Sequence, residues 1–321
     1  MSVALTRLRF TNALRCYASY ALSRFGSVRF VHHAPLFVSV EPAAICQLRC
    51  PECPVGKHQQ SKNNNSRSAL ISREIWQRTL FEVSKTAFVV QFYFQGEPLL
   101  NKDLPQMIRE AHDVGLYSIV STNAQALTSQ MATALVASGL DRIIISMDGL
   151  TEDSYNAYRV GGSLEQTKAA LRYLREAKGR KPIIELQVLR LKTNEREWAD
   201  FKRQYKQLGA DSLTFKTAQL YNYSDGHPLM PTNARYSRYI QSEDGHYHRR
   251  PLRCGCFRVW SGCVITTDGE VLPCCYDKAH EYAYGNIMES SLKELFTGTK
   301  AQQFRQAALD ERPHICQECW R

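Results

Sequence analysis

The cysteines constrain this chain more than any other feature. Eleven occur in 321 residues, at positions 16, 46, 50, 53, 254, 256, 263, 274, 275, 316 and 319, and the 200 residues between the two clusters contain none. A secreted disulfide framework does not fit, because Arg7, Arg9 and Arg15 interrupt any apolar signal segment. Thiols kept in a reducing compartment serve mostly as ligands or catalysts, so two clusters imply two metal sites. The rest of the composition only sets limits. With 44% hydrophobic and 10% aromatic residues the chain can bury a full core. No uncharged apolar run approaches the roughly 18–20 residues that span a bilayer, which argues against a membrane-embedded protein, and a cytoplasmic location is expected. The net charge is +10, and residues 1–40 alone hold five arginines and no acidic residue. The basic balance is therefore half a property of this arm, and no nucleic-acid partner is expected.

Short apolar runs alternate with amphipathic stretches. Leu36–Val40, Phe88–Phe94, Tyr117–Ser121, Arg142–Ser146, Ile183–Leu189 and Ser212–Phe215 read as six strands, continuous enough to be buried on both faces. Helical patterns lie near 73–85, 103–115, 128–138, 164–178 and 195–208. Ser163 with Gln166 reads as a capping box, and Gly115 and Gly209 as C-caps. This alternation predicts a parallel α/β sheet, as a partial barrel or an open doubly wound sheet. The divisions are a basic amphipathic arm (1–34), the α/β unit (35–220), a polar Tyr- and His-rich linker or loop without clear period (221–250), and a cysteine-rich module (251–321). Asn63–Asn65 reads as a short polar loop.

Cys46, Cys50 and Cys53 form C-x3-C-x2-C directly after the first strand, at the sheet end where parallel-sheet enzymes place their chemistry. Three thiolates on one loop suit a cubane cluster with one iron left open to a ligand. The plain alternative is three incidental buried thiols.

The segment VEPAAICQLRCPEC resembles the cluster loop of the radical SAM superfamily. The resemblance continues in order after the later strands. FQGEP (Gly96, Glu97) resembles the family's Gly-Gly-Glu motif, with Gln95 in place of the first glycine. STN (Ser121, Thr122, Asn123), SMDG (Ser146, Asp148) and Arg159 match later family motifs, and Gln187 on the fifth strand does so more weakly. Each segment alone is an ordinary turn; their order carries the resemblance. It implies a partial (β/α)6 TIM-type barrel. It further implies a [4Fe-4S] cluster on Cys46, Cys50 and Cys53. S-adenosyl-L-methionine would be held by Gly96, Glu97, Ser121, Asn123, Ser146, Asp148 and Arg159. One electron cleaves it to a 5′-deoxyadenosyl radical that abstracts a substrate hydrogen. Glu52 stands where the family often has an aromatic residue near adenine. A flavodoxin or ferredoxin would supply the electron.

In the tail, Asp268-Gly269 between apolar residues signals a hairpin, and Cys316-x2-Cys319 is a metal knuckle. Four thiolates would saturate a cluster; a zinc ribbon is the alternative. The tail resembles the SPASM/twitch auxiliary domain in its shortened form, which implies a second, auxiliary [4Fe-4S] cluster on Cys256, Cys274, Cys316 and Cys319. Cys275 competes with Cys274, and Cys16, Cys254 and Cys263 are left as spare or buried thiols. The resemblance implies an oxidoreductase that dehydrogenates or rearranges a small carbohydrate-like or lipid-linked substrate, with the auxiliary cluster as electron acceptor. Modification of a peptide or protein side chain is the second reading, and a zinc- or cluster-binding interaction module the non-enzymatic one. Asp277, His280 and the tyrosines of 221–250 are the candidates for a base.

In the arm, Phe10, Leu14, Tyr17, Ala21 and Phe25 share a helical face. They read as the inner face of a helix docked on the barrel, or as an interfacial helix making peripheral contact with an anionic membrane.

Overall fold

The computed structural model describes residues 6–24, 32–58, 68–250, 255–317 and 319. Cys254, Phe25 and the Asn63–Asn65 loop lie outside them. Strands β1 (Phe37–Val40), β2 (Val89–Phe92), β3 (Tyr117–Thr122), β4 (Arg142–Ser146), β5 (Ile183–Arg190) and β6 (Ser212–Thr217) pair in parallel, each beside its neighbour in sequence. Helices α1 (Arg7–Ser23), α2 (Pro54–His58), α3 (Arg73–Val83), α4 (Leu104–Asp113), α5 (Ser129–Ala137), α6 (Glu152–Asn156), α7 (Leu164–Ala177) and α8 (Trp198–Gln204) precede or link them. This is the expected partial (β/α)6 barrel. Ser163 caps α7 by accepting from the Gln166 amide, while the Gln166 side chain reaches Leu127 O instead of closing the box. Gly115 and Gly209 have φ of 72° and 99°, the left-handed C-cap conformation that glycine adopts freely.

Burial alternates along β2, unlike the two-sided burial expected. Val90 and Phe92 are wholly buried toward the helices, with Trp76, Leu104 and Ile108, while Val89 and Gln91 are only half-buried. The inward faces of the strands are left partly open because they line cavities.

The 221–250 segment is more ordered than its composition suggested. It forms a hairpin of β7 (Tyr239–Gln241) and β8 (Tyr247–Arg249) around Asp244-Gly245, with Gly245 at φ 87°. Beyond it come α9 (Phe257–Ser261), β9 (Gly262–Ile265), β10 (Glu270–Leu272), β11 (Gly285–Asn286), α10 (Leu292–Thr297), α11 (Thr299–Asp310) and α12 (His314–Gln317). The Asp268-Gly269 hairpin forms between β9 and β10. Among the described residues β9 pairs in parallel with β1, so the tail extends the barrel sheet to nine strands and covers its first edge.

Helix α1 docks, but by the face opposite to the expected one. Arg9, Asn12, Cys16, Ser19 and Ser23 are buried, Phe10, Leu14 and Ala21 face outward, and Tyr17 stacks on Phe257. The Arg9 guanidinium explains this. It donates to Ser84 O (2.8 Å), Val114 O (2.9 Å) and Gly115 O (2.8 Å), at the C-terminal ends of α3 and α4, where a cation also complements the helix dipoles. Replacing Arg9 with Met leaves these carbonyls without that donor and should lower stability by about 2–3 kcal/mol, read from the guanidinium denaturation midpoint. Leu14→Ser on the outer face should change it by less than about 0.5 kcal/mol. Equal effects of the two would contradict the docking.

Candidate functional site

The loop after β1 carries the first three cysteines, and it is pinned from several sides. Ala44 N and Ile71 N bond across to Ala69 O and Pro42 O. Glu97 N donates to Ile45 O at 2.8 Å, and Arg49 N to Val160 O at 2.9 Å. The crossing at Gly96 is so close that a Cβ there would lie 2.1 Å from Ala43 O and 2.7 Å from Ile45 O. Only glycine fits. Its closeness serves the cysteine loop itself.

Cys46, Cys50 and Cys53 line one cavity of about 200 Å³, together with Gly96, Glu97, Ser121, Asn123, Ser146 and Arg159. These come from the C-terminal ends of successive strands. Among the described residues no three donors converge as for a single ion. Thiols arranged around a volume suit a cluster of several atoms. Burial pushes the Cys46 thiol up to about 12 and raises Cys50 as well, with Arg159 opposing the rise at Cys50. Bound metal would displace those protons.

The acidic residues of the set are engaged by protein. Glu97 is buried; it accepts from Thr122 Oγ1 (2.5 Å), Asn123 N (2.8 Å) and Leu99 N (3.1 Å). Burial raises its pKa against the pull of these bonds. Glu97 thereby fixes the loop after β3, whose Asn123 Nδ2 points to Cys46 Sγ at 3.4 Å. Asp148 does not line the cavity. Wholly buried, it accepts from Arg159 Nε at 2.6 Å and Leu189 N at 2.6 Å. Burial pulls the Arg159 pKa down, but the Asp148 charge outweighs it and the net direction is up. Arg159 is therefore a fixed cation in the cavity wall. Gln187 lies in register with Ser146, and its buried Oε1 has no hydrogen-bond partner. Gln187 itself does not line the cavity.

A second cavity of about 740 Å³ contains Cys256, Cys274, Cys316 and Cys319, with Phe37, Val89 and Gln91 from the barrel interior. Cys275 is not among the residues that line it and accepts from Arg258 Nη1, which does line it, at 3.4 Å. Cys16 and Cys263 are buried in the core. Burial pushes the Cys316 thiol up to about 12 and raises Cys274 too.

The chain links the two cavities. Four residues after Cys274, Lys278 O accepts from Gln95 Nε2 at 2.9 Å, and Gln95 lines the first cavity. A four-residue segment spans at most about 14 Å. The Lys278 ammonium donates to Gln219 Oε1 and Tyr221 OH, both at 3.2 Å, and no described carboxylate pairs with it. Burial lowers its pKa. Glu52, in the cysteine loop, accepts from Tyr221 N at 2.5 Å and faces His227 Nε2 at 3.7 Å. The residue standing at the aromatic position thus anchors the start of the 221–250 segment. Lys278 carried no sequence signal; Glu52 carried one only as a departure from pattern. Asp277 accepts from the amides of Glu281 and Tyr282, and His280 Nδ1 lies 2.6 Å from Glu270, so both are engaged locally.

Comparison with known proteins agrees with this geometry. Residues 40–204 match the radical SAM superfamily, and residues 254–320 match SPASM, an iron-sulfur cluster-binding domain. The PqqA peptide cyclase of Ruegeria pomeroyi is 25% identical over 312 residues, covering 89% of this chain and 80% of the cyclase. The tungsten-containing aldehyde ferredoxin oxidoreductase cofactor-modifying protein of Pyrococcus furiosus is 24% identical, covering 88% of this chain and 86% of its own. Among solved structures, native anSMEcpe with bound AdoMet and Cp18Cys peptide superimposes with a TM-score of 0.63 at 18% identity, covering 86% of this chain and 84% of that one.

Anaerobically reconstituted protein should hold about eight irons per chain. Gly96→Ala, which forces the first loop aside, should remove about four of them, as should Cys274→Ala. Cys275→Ala should leave iron content unchanged. An equal loss on replacing Cys275 would reassign the second site.

Proposed function

The chain belongs to the radical SAM superfamily, and from that premise we propose that it modifies a peptide or protein side chain after abstracting a hydrogen atom from it. The observation behind this reading is the Ruegeria pomeroyi relative, whose name states that it cyclises a peptide and which matches nearly nine-tenths of this chain. The small carbohydrate-like substrate expected from the short tail has less support.

Cys46, Cys50 and Cys53 would hold the open-cornered [4Fe-4S] cluster, and Cys256, Cys274, Cys316 and Cys319 the auxiliary one. When bound, the first cluster and S-adenosylmethionine together supply the 5′-deoxyadenosyl radical. The chain's own residues position the reactants. Arg159, held by Asp148, presents a guanidinium suited to the methionine carboxylate. Asn123, Ser121 and Ser146 offer short polar contacts from neighbouring strands. Glu97 and Gly96 hold the loops and need not touch the ligand. Lys278, on the segment between the two cavities, would meet the substrate, and its lowered pKa would ease acceptance and release of a proton at Nζ. A cluster on Cys256, Cys274, Cys316 and Cys319 would supply an acceptor for the electron that the substrate radical loses.

The test uses the reduced, reconstituted enzyme with S-adenosylmethionine and a deuterated short peptide encoded beside its gene. Deuterium should pass from the peptide into 5′-deoxyadenosine, as mass spectrometry would show. Transfer only from labelled sugars or cyclitols would contradict the proposal. In the same assay Lys278→Met should lower peptide-dependent turnover by about 100-fold. Slow peptide-independent cleavage of S-adenosylmethionine should persist. Loss of both would make Lys278 a structural residue.

A further inference from the structure

Helix α1 touches the second cysteine cavity only through Tyr17 and Tyr20, and its orientation is unusual. An amphipathic helix on a protein surface normally turns its apolar face inward. Here the inner face is polar and small. Besides the Arg9 contacts, Asn12 Nδ2 donates to Ala34 O (3.0 Å) and Thr86 O (3.3 Å), its Oδ1 accepts from Ala34 N (2.8 Å), and Cys16 Sγ reaches Trp260 O at 3.5 Å. Tyr20 packs edge-on against Phe257 and Trp260. These bonds fix the helix rotation, because turning it would strand the buried Arg9 and Asn12.

The outward face therefore consists of Leu8 (59% exposed), Phe10 (53%), Leu14 (54%) and Leu22 (43%), with the exposed Ala18 and Ala21 between them, while Tyr17 at its edge stacks on Phe257. Phe81 and Val114, also exposed, neighbour the carbonyls that Arg9 holds. So many large apolar groups on one helix mark a surface that something covers.

The charges indicate what covers it. Arg7, Arg15 and Arg24 are exposed on the same helix, and none pairs with a carboxylate among the described residues. No Asp or Glu occurs within residues 1–40. An apolar ridge set among arginines without any acid matches an anionic bilayer, where the guanidinium groups meet phosphates and the apolar side chains enter the acyl boundary. A second copy fits less well, because a two-fold contact through this face would bring like charges together. No helix among the described residues is long and apolar enough to cross a membrane, so the contact would be superficial. We propose that α1, docked polar side inward, is a membrane-surface anchor that lays the enzyme on an anionic bilayer through Leu8, Phe10, Leu14 and Leu22.

Full-length reconstituted protein would be sedimented with vesicles of phosphatidylcholine, alone or with about a third phosphatidylglycerol. Wild type should partition onto the anionic vesicles and much less onto the neutral ones, with binding weakened by salt. Phe10→Ser with Leu14→Ser should lower partitioning about tenfold or more. Arg7→Gln with Arg15→Gln should lower it about tenfold and remove most of the salt dependence. Both variants should keep the wild-type iron content and denaturation midpoint, since the altered side chains face solvent. Absence of binding to anionic vesicles, or binding unaffected by these changes, would overturn the proposal. So would a wild-type dimer that the Phe10→Ser, Leu14→Ser chain dissolves, which would assign the face to a second copy.

Discussion

A backbone crossing holds the centre of this molecule. Gly96 passes so close to the carbonyls of Ala43 and Ile45 that no side chain fits between them, and Glu97 N closes the contact with a hydrogen bond. This crossing ties the loop after β1 to the loop after β2. Glu97 then carries the linkage onward, because its buried carboxylate binds the Thr122 hydroxyl and the Asn123 amide after β3. Asp148 does the same after β4, fixing Arg159 and the Leu189 amide. Three loops and two carboxylates thus position three cysteines, and the parallel strands beneath supply the rigid base.

The same economy joins the tail to the barrel. By pairing β9 with β1, the cysteine-rich module continues the sheet. The short segment from Cys274 to Lys278 then runs from one cysteine cavity to the residues bordering the other. Substrate chemistry between two redox sites requires such closeness. Here it follows from strand pairing.

Much of this was legible in the sequence. The six strands announced themselves as β-branched and aromatic runs, and Arg142–Ser146 matches β4 from end to end. The cysteine loops were legible because thiolate spacing is a direct chemical requirement. Side-chain roles were less so. Glu97 and Asp148 mark the right loops, yet their carboxylates bind protein, which no one-dimensional pattern distinguishes from binding a ligand. The 239–249 hairpin was hidden by its polar composition, although Asp244-Gly245 carries the same turn signal that revealed the hairpin at 268–269. Helix α1 misled by its periodicity. The apolar stripe was visible, but the rotation is set by Arg9 and Asn12, whose carbonyl partners, Ala34 apart, lie 74 to 106 residues away in sequence.

The most direct test of the central claim is electron paramagnetic resonance of the dithionite-reduced, reconstituted protein with and without S-adenosylmethionine. If the first cavity keeps one iron corner free beside Arg159, the cluster signal should change shape when the sulfonium ligand is added, and should not do so in the Cys46→Ala, Cys50→Ala, Cys53→Ala chain. A spectrum indifferent to the ligand in the unmodified protein would contradict the account.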